Sequence, residues 1–97
     1  MAKIELNKSL EQMLISAERY ACGRRSYIVD DTIRYITPLI PKLSAWCIDI
    51  MLFDMKTEFD MVERSGGKIL LGDASDHKAW ELFRLALEAE KIRRATE

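Results

Sequence analysis

Apolar residues recur along this chain at three- and four-residue steps, the period of an α-helix, and nowhere alternate long enough to make a convincing strand. In the first such stretch Leu10, Met13, Leu14, Ala17 and Ala21 form one stripe with Tyr20 at its edge, and Lys8, Glu11, Glu18 and Arg19 face away. Ser9 and Gln12 have the spacing of a capping box, with Ser9 as N-cap, and Gly23 supplies the left-handed residue that closes a helix. Arg24-Arg25-Ser26 reads as a connector, and Tyr27-Ile28-Val29 as a β-branched stretch, either a short extended edge that makes a poor strand or the start of a helix. Asp30 and Asp31 place negative charge where a helix begins, and Ile33, Ile36 and Ile40 follow at helical steps. Pro38 and Pro41 interrupt that segment, so the pattern predicts a short second helix from about Asp30 to Thr37.

A third helix is predicted from Ser44 to about Arg64, stopped by Gly66-Gly67. Its first half, Ala45 to Phe53, is apolar nearly all round, as in a helix at the middle of a fold or in an oligomer interface. Its second half sets Met55, Phe59 and Val62 against Lys56, Glu58, Asp60 and Glu63. Lys68 to Gly72 reads as a loop whose Ile69, Leu70 and Leu71 tuck under a helix. Asp73 or Asp76 caps a fourth helix that carries Trp80, Phe83, Leu87 and Glu90, with Leu82, Ala86 and Ala89 beside them. That helix ends in Lys91, Arg93 and Arg94, cations suited to its negative end. The expected architecture is all-α, a compact bundle of three main helices plus one short helix, in a single domain over residues 1–97.

Composition narrows this further. With 97 residues, 48% apolar and 32% charged, the chain is globular rather than disordered, and far shorter than the roughly 250 residues of a (β/α) barrel. The apolar surface on the third helix and on a second face of the fourth exceeds what a small monomer covers, so a homodimer is expected. Net charge is −1, split as +2 over residues 1–45 and −3 over residues 46–97, which removes any general basic excess for nucleic acid. Apolar runs such as Ile50-Met51-Leu52-Phe53 fall far short of the ~20 residues that span a bilayer, and the start of the chain lacks the apolar core of a signal peptide. A soluble, cytoplasmic protein with no membrane partner is expected. Cys22 and Cys47 stand 25 apart in apolar helical surroundings and read as small core residues.

Candidate chemistry is sparse. In Tyr20-Ala21-Cys22-Gly23-Arg24-Arg25-Ser26-Tyr27, two guanidiniums at a helix exit are bracketed by two tyrosines. Such a group can grip an acidic patch on a protein, or a phosphate with a base stacked on tyrosine. The arginines can equally serve the end of the first helix and pair with Asp30 or Asp31. Asp54 and Glu58, four apart, read as a solvated face or as a surface that meets a basic groove. Asp49 lies in an apolar stretch and would need Arg34 or Lys42 as partner if buried. His77, the sole histidine, reads as an exposed residue at a helix start, and with no second histidine or cysteine cluster a zinc site has no basis. Trp46 and Trp80 read as core or interface anchors, and Met51, Met55 and Met61 as core filling or an adaptable surface. There is no phosphate-binding loop and no Gly-x-Ser-x-Gly elbow, so neither an enzyme nor a cofactor is called for.

The stretch from Glu18 to Ile36, built on Arg19-Tyr20-Ala21-Cys22-Gly23-Arg24-Arg25-Ser26-Tyr27, resembles a pattern in small helical proteins of phages and prophages. In those an aromatic-Ala-x-Gly-Arg-Arg/Met-Thr/Ser-Tyr segment opens a short helical domain. The similarity covers about a fifth of the chain; the tail from Asp73 through Trp80 to Arg94 is only loosely similar. The resemblance implies a setting, a phage-encoded protein acting inside a bacterial host, and names no activity. The expected function is that of a non-catalytic inhibitor or adaptor that binds a host protein, such as an anti-CRISPR-like blocker of a defence complex. It would dock through Arg24, Arg25, Tyr20 and Tyr27 or through the acidic face with Asp54 and Glu58. The rival expectation is a dimeric binder of a signalling nucleotide or nucleic acid through the Arg/Tyr surface.

Overall fold

The structure, a computed structural model, describes residues 6–96. The expectation that the start of the chain, Met1 to Asn7, lacks the apolar core of a signal peptide falls largely on residues 1–5, which lie outside the described residues. The described residues form four α-helices and one 3-10 helix in the order α1 (Lys8–Ala21), α2 (Ser26–Ile36), η1 (Thr37–Lys42), α3 (Ala45–Arg64) and α4 (Ala74–Ala95), with no strand. The all-α expectation is therefore met. None of these helices is long and apolar enough to cross a membrane.

Helix starts follow local chemistry, with one change of residue. Asn7, not Ser9, caps α1: its side chain accepts from the Leu10 amide at 2.8 Å, which brings Ser9 inside the helix. Ser44 caps α3 and accepts from Cys47 N at 3.1 Å. Asp73 and Asp76 together form a reciprocal capping box at the start of α4. The helix α2 begins at Ser26, so Tyr27-Ile28-Val29 is helical rather than extended. Within this first turn Val29 is fully buried and joins the core. Pro38 and Pro41 do stop α2, but the chain tightens into η1 instead of opening into a loop.

The core is one cluster contributed by every element: Leu14 and Ile15 from α1, Val29 and Ile36 from α2, Ile40 from η1, Met51 from α3 and Trp80 from α4 among them. Helices α1 and α4 each pack against both α2 and α3. Polar ties lock the junctions. Glu11 of α1 accepts from Ser44 N at 2.6 Å and Ser44 Oγ at 2.8 Å, so it holds the start of α3. Ser26 Oγ donates to Asp73 at 3.0 Å and to Asp76 at 3.2 Å, joining the first turns of α2 and α4. Arg94 donates to the Leu43 carbonyl at 2.6 Å and the Pro41 carbonyl at 3.3 Å, while Glu90 holds Arg94 at 2.7 Å and Arg93 at 2.6 Å.

Several expectations about individual side chains are overturned. The buried face of α1 is Glu11, Leu14, Ile15, Glu18 and Ala21, while Met13 and Ala17 lie outside it. The face is rotated because α1 packs between α2 and α3, and two of its acids have work inside the fold. Asp49 is exposed and pairs with Lys91 at 3.0 Å, not with Arg34 or Lys42. His77 is half-buried; its ring lies 5.2 Å from that of Phe59, and Nδ1 accepts from Leu71 N at 3.4 Å. Of the loop 68–72 only Leu71 is buried. Trp80 is fully buried, whereas Trp46 is partly exposed with Lys8 over its ring at 5.1 Å. Both cysteines are free thiols; Cys47 is buried and Cys22 half-buried.

Candidate functional site

The last turns of α1 carry a distinct surface on each side. On the side facing α2, Gly23 turns the chain with a φ of +84°, a conformation that costs other residues a Cβ clash. This turn brings Arg24 back over the helix it has just left. Its Nε donates to the Tyr20 carbonyl at 3.2 Å, satisfying one of the carbonyls a helix end leaves free, and its guanidinium lies 4.6 Å from the Tyr20 ring centre. Arg25 is the N-cap of α2 and gives no side-chain cap; its carbonyl accepts from Ile28 N and Val29 N. Neither arginine pairs with Asp30 or Asp31 among the described residues.

Tyr20, Gly23, Arg24, Arg25, Tyr27 and Ile28 line an open concavity of about 450 Å³. One helical turn further along both helices an apolar groove of about 400 Å³ begins, with Leu10, Met13 and Ala17 on one wall and Thr32 and Tyr35 on the other. Both depressions lie along the seam between α1 and α2, a furrow in two parts that share no lining residue. Its rims are apolar yet open to solvent: Met13 is 67% exposed, Tyr35 66%, Tyr27 62% and Tyr20 58%.

On the side facing α3 lies a smaller cavity of about 220 Å³, lined by Glu18, Arg19 and Cys22 from α1 and by Phe53, Asp54 and Glu58 from α3, among others. Asp54 receives a two-pronged guanidinium from Arg19, at 2.8 Å from Nε and 3.2 Å from the terminal nitrogen. Behind this pair Glu18 is fully buried. Burial, with the negative charge of Asp54, a hydrogen bond shared with it and the charge of Glu58, pushes its pKa up to about 9, so Glu18 is neutral at pH 7. Burial and the carboxyls of Glu58, Glu18 and Asp54 push the Cys22 thiol up to about 12. Cys47, raised to about 12 mainly by burial, is equally far from a thiolate. No three His, Cys, Asp or Glu side chains among the described residues are grouped to hold a metal ion.

The residues picked from sequence thus fall into two places. Tyr20, Arg24, Arg25 and Tyr27 come together as one surface. Asp54 and Glu58 do not belong to it, nor are they a solvated face: both are half-buried in the α1–α3 cavity. Glu18, Arg19, Cys22 and Phe53 were missed there. A signal for Glu18 did exist, since Glu11, Leu14, Ile15, Glu18 and Ala21 recur at helical steps as regularly as the apolar stripe does. Compared with protein-family models, with curated proteins and with solved structures, the chain matches none.

Proposed function

We propose that this protein is a non-catalytic binding module that docks on a host protein through the furrow between α1 and α2, in the phage setting that the Glu18–Ile36 segment implies. The observation that carries the reading is the row of open side chains along the furrow: Met13 and Tyr35 at one end, Tyr20 and Tyr27 at the other, with Arg24 and Arg25 closing it. Tyrosine and arginine are the residues enriched where proteins bind each other, because they bury much area for little lost freedom. An amphipathic helix with carboxylates at one end fits the furrow: its apolar side lies along Met13 and Tyr35, and its acids meet Arg24 and Arg25. A defence complex that is blocked this way needs no chemistry from the blocker.

The homodimer that accompanies this reading is built on α4. Leu82, Leu85, Ala89 and Ile92 follow a 3-4-3 spacing on its outer face, with Leu82 55%, Leu85 46% and Ile92 64% exposed. That is the spacing of a helix-pairing seam.

A photo-crosslinking amino acid placed at Tyr27 or Tyr35, in protein expressed in the bacterial host, tests the docking reading. Crosslinks to one host protein at both positions, absent from a control at Lys78 and lost with Arg24→Ala plus Arg25→Ala, are expected. Equal crosslinking at Lys78 would refute it. A second reading, a nucleotide held by Arg24 and Arg25 with its base on Tyr27, is supported by the 450 Å³ concavity, within the roughly 300–1,000 Å³ of small-molecule sites. Binding of a cyclic dinucleotide that weakens steeply with salt would favour it over the protein partner.

A further inference from the structure

Helix α4 turns Trp80, Phe83, Leu87 and Glu90 to the core, while Leu82, Leu85, Ala89 and Ile92 point the other way, into solvent. In paired helices the residues that flank such a seam set the partner and its direction through their charges. The two flanks of α4 differ. On the side of α3, Glu88 borders the groove between α3 and α4, and Glu81, seven residues earlier, stands on the same line. On the side of η1 the equivalent line is Ala79, Ala86 and Arg93. Ala86 and Arg93 border a groove of about 330 Å³ whose other wall is Thr37, Ile40 and Pro41. One flank is therefore acidic, and the other is small and then basic. The side chains of Glu88 and Arg93 are both half exposed. Within the chain Glu88 meets Arg84 at 4.0 Å, the outer limit of an ion pair, and Arg93 holds Glu90, which Arg94 holds as well.

A second copy of the same chain, aligned parallel, complements this face. When two identical helices pair about a two-fold axis that runs along them, each flank meets the unlike flank of the other copy, and the contact joins a residue to the one five positions later. Glu88 then meets Arg93 of the second copy, and Arg93 meets its Glu88, so one complementarity is used twice. Glu81 meets Ala86, which carries no charge to oppose it. Ala86 and Ala89 are small enough to let the second helix come close, and the apolar stem of the incoming Glu88 lies along the η1 groove. The antiparallel arrangement brings like flanks together instead. It sets Glu81 and Glu88 against the same two acids, a juxtaposition that disfavours the pairing.

We propose that two copies of this chain associate through α4 in parallel, with Leu82, Leu85, Ala89 and Ile92 as the seam and Glu88 of each copy reaching Arg93 of the other beside the η1 groove. This rests on the homodimer reading above and adds its direction and its charged contacts. It also determines how the two furrows are displayed. Helix α1 packs on α2 and α3, across the core from the outer face of α4, so both furrows stay open in the pair. Rotation about an axis along α4 keeps every residue at its own height, which puts the Arg24–Arg25 ends of both furrows at the same end of the dimer. One dimer thus offers two equivalent docking surfaces that face a partner in the same sense.

Two measurements on the full-length protein test it. The first oxidises Leu85→Cys and Ile92→Cys, each in a Cys22→Ser background that keeps the fully buried Cys47, in a glutathione redox buffer. In a parallel pair each seam residue faces its own counterpart, so both variants should cross-link to themselves; an antiparallel pair matches Ile92 to the far end of the seam and leaves Ile92→Cys unlinked. The second follows dimer dissociation by sedimentation equilibrium. Glu88→Lys and Arg93→Glu each place like charges at both contacts and should weaken the dimer about tenfold. An equal mixture of the two should recover the wild-type affinity, because in the mixed dimer one contact is the native pair and the other is the same pair reversed. The proposal is overturned by a dimer in which Ile92→Cys does not cross-link, which leaves the homodimer reading standing, or by a mixture no tighter than either variant alone. A monomeric wild type overturns it together with the homodimer reading.

Discussion

Replacing Glu18 by Gln should make the protein more stable, and increasingly so as pH rises. In the folded chain Glu18 keeps its proton to about pH 9, while in the unfolded chain it loses it near 4.5. Between those values the folded state binds one proton more than the unfolded state, so stability falls with rising pH at about 1.4 kcal/mol per unit. Over the three units from pH 5 to pH 8 the wild type should lose about 4 kcal/mol, an upper value because water entering the cavity relaxes part of the penalty. The other displaced groups leave this window clear. Glu90 is held down to about 2, Asp73 is lowered, and both thiols sit at about 12. Glutamine has the same shape and no proton to lose, so its stability should be flat over the same range. Urea denaturation followed by fluorescence of the buried Trp80 measures both profiles. Parallel profiles for the two proteins would refute the burial argument, as would a Glu18→Gln variant weaker than wild type at pH 8.

Arg94→Ala should destabilise the protein by about 1.5–3 kcal/mol, since it frees the Leu43 and Pro41 carbonyls and detaches η1 from α4. Because Arg93 and Arg94 hold the Glu90 carboxyl at about 2, the stability it contributes is present above pH 4.5 and lost as pH falls towards 2; acid titration of Arg94→Ala should show a shallower loss. Gly72→Ala should cost more than Gly66→Ala in urea midpoint. Both glycines have positive φ, worth about 1–2 kcal/mol to a side chain, but only at Gly72 would the new Cβ meet Asp76 Oδ2 at 2.5 Å and push it out of the capping box. Leu85→Glu should convert a dimer to a monomer in light scattering and remove the rise of melting temperature with protein concentration that a wild-type dimer shows; a monomeric wild type removes the α4 seam altogether.

Much of the fold could be read from the residues, because the signals are local. Helical steps of apolar residues marked all four helices, Ser44 and the Asp73–Asp76 pair marked two of their starts, and Trp80, Phe83, Leu87 and Glu90 were placed on one face of α4, where all four are buried. The Arg24–Tyr20 cluster was also legible, since a single turn at Gly23 brings it together. What the sequence could not decide was which way α1 faces. Two stripes, one through Met13 and Ala17 and one through Glu11 and Glu18, share Leu14 and Ala21, and by hydrophobicity alone the first is the better core. Packing between α2 and α3 selects the second. That choice gives Glu11 the Ser44 hydrogen bonds, turns Met13 out to the furrow, and sets Glu18 beside Asp54, 36 residues away along the chain. A periodic pattern fixes which residues share a helix face. Only the arrangement of neighbouring helices decides whether that face meets the core, and whether an acid on it ends up paired, solvated or buried and neutral.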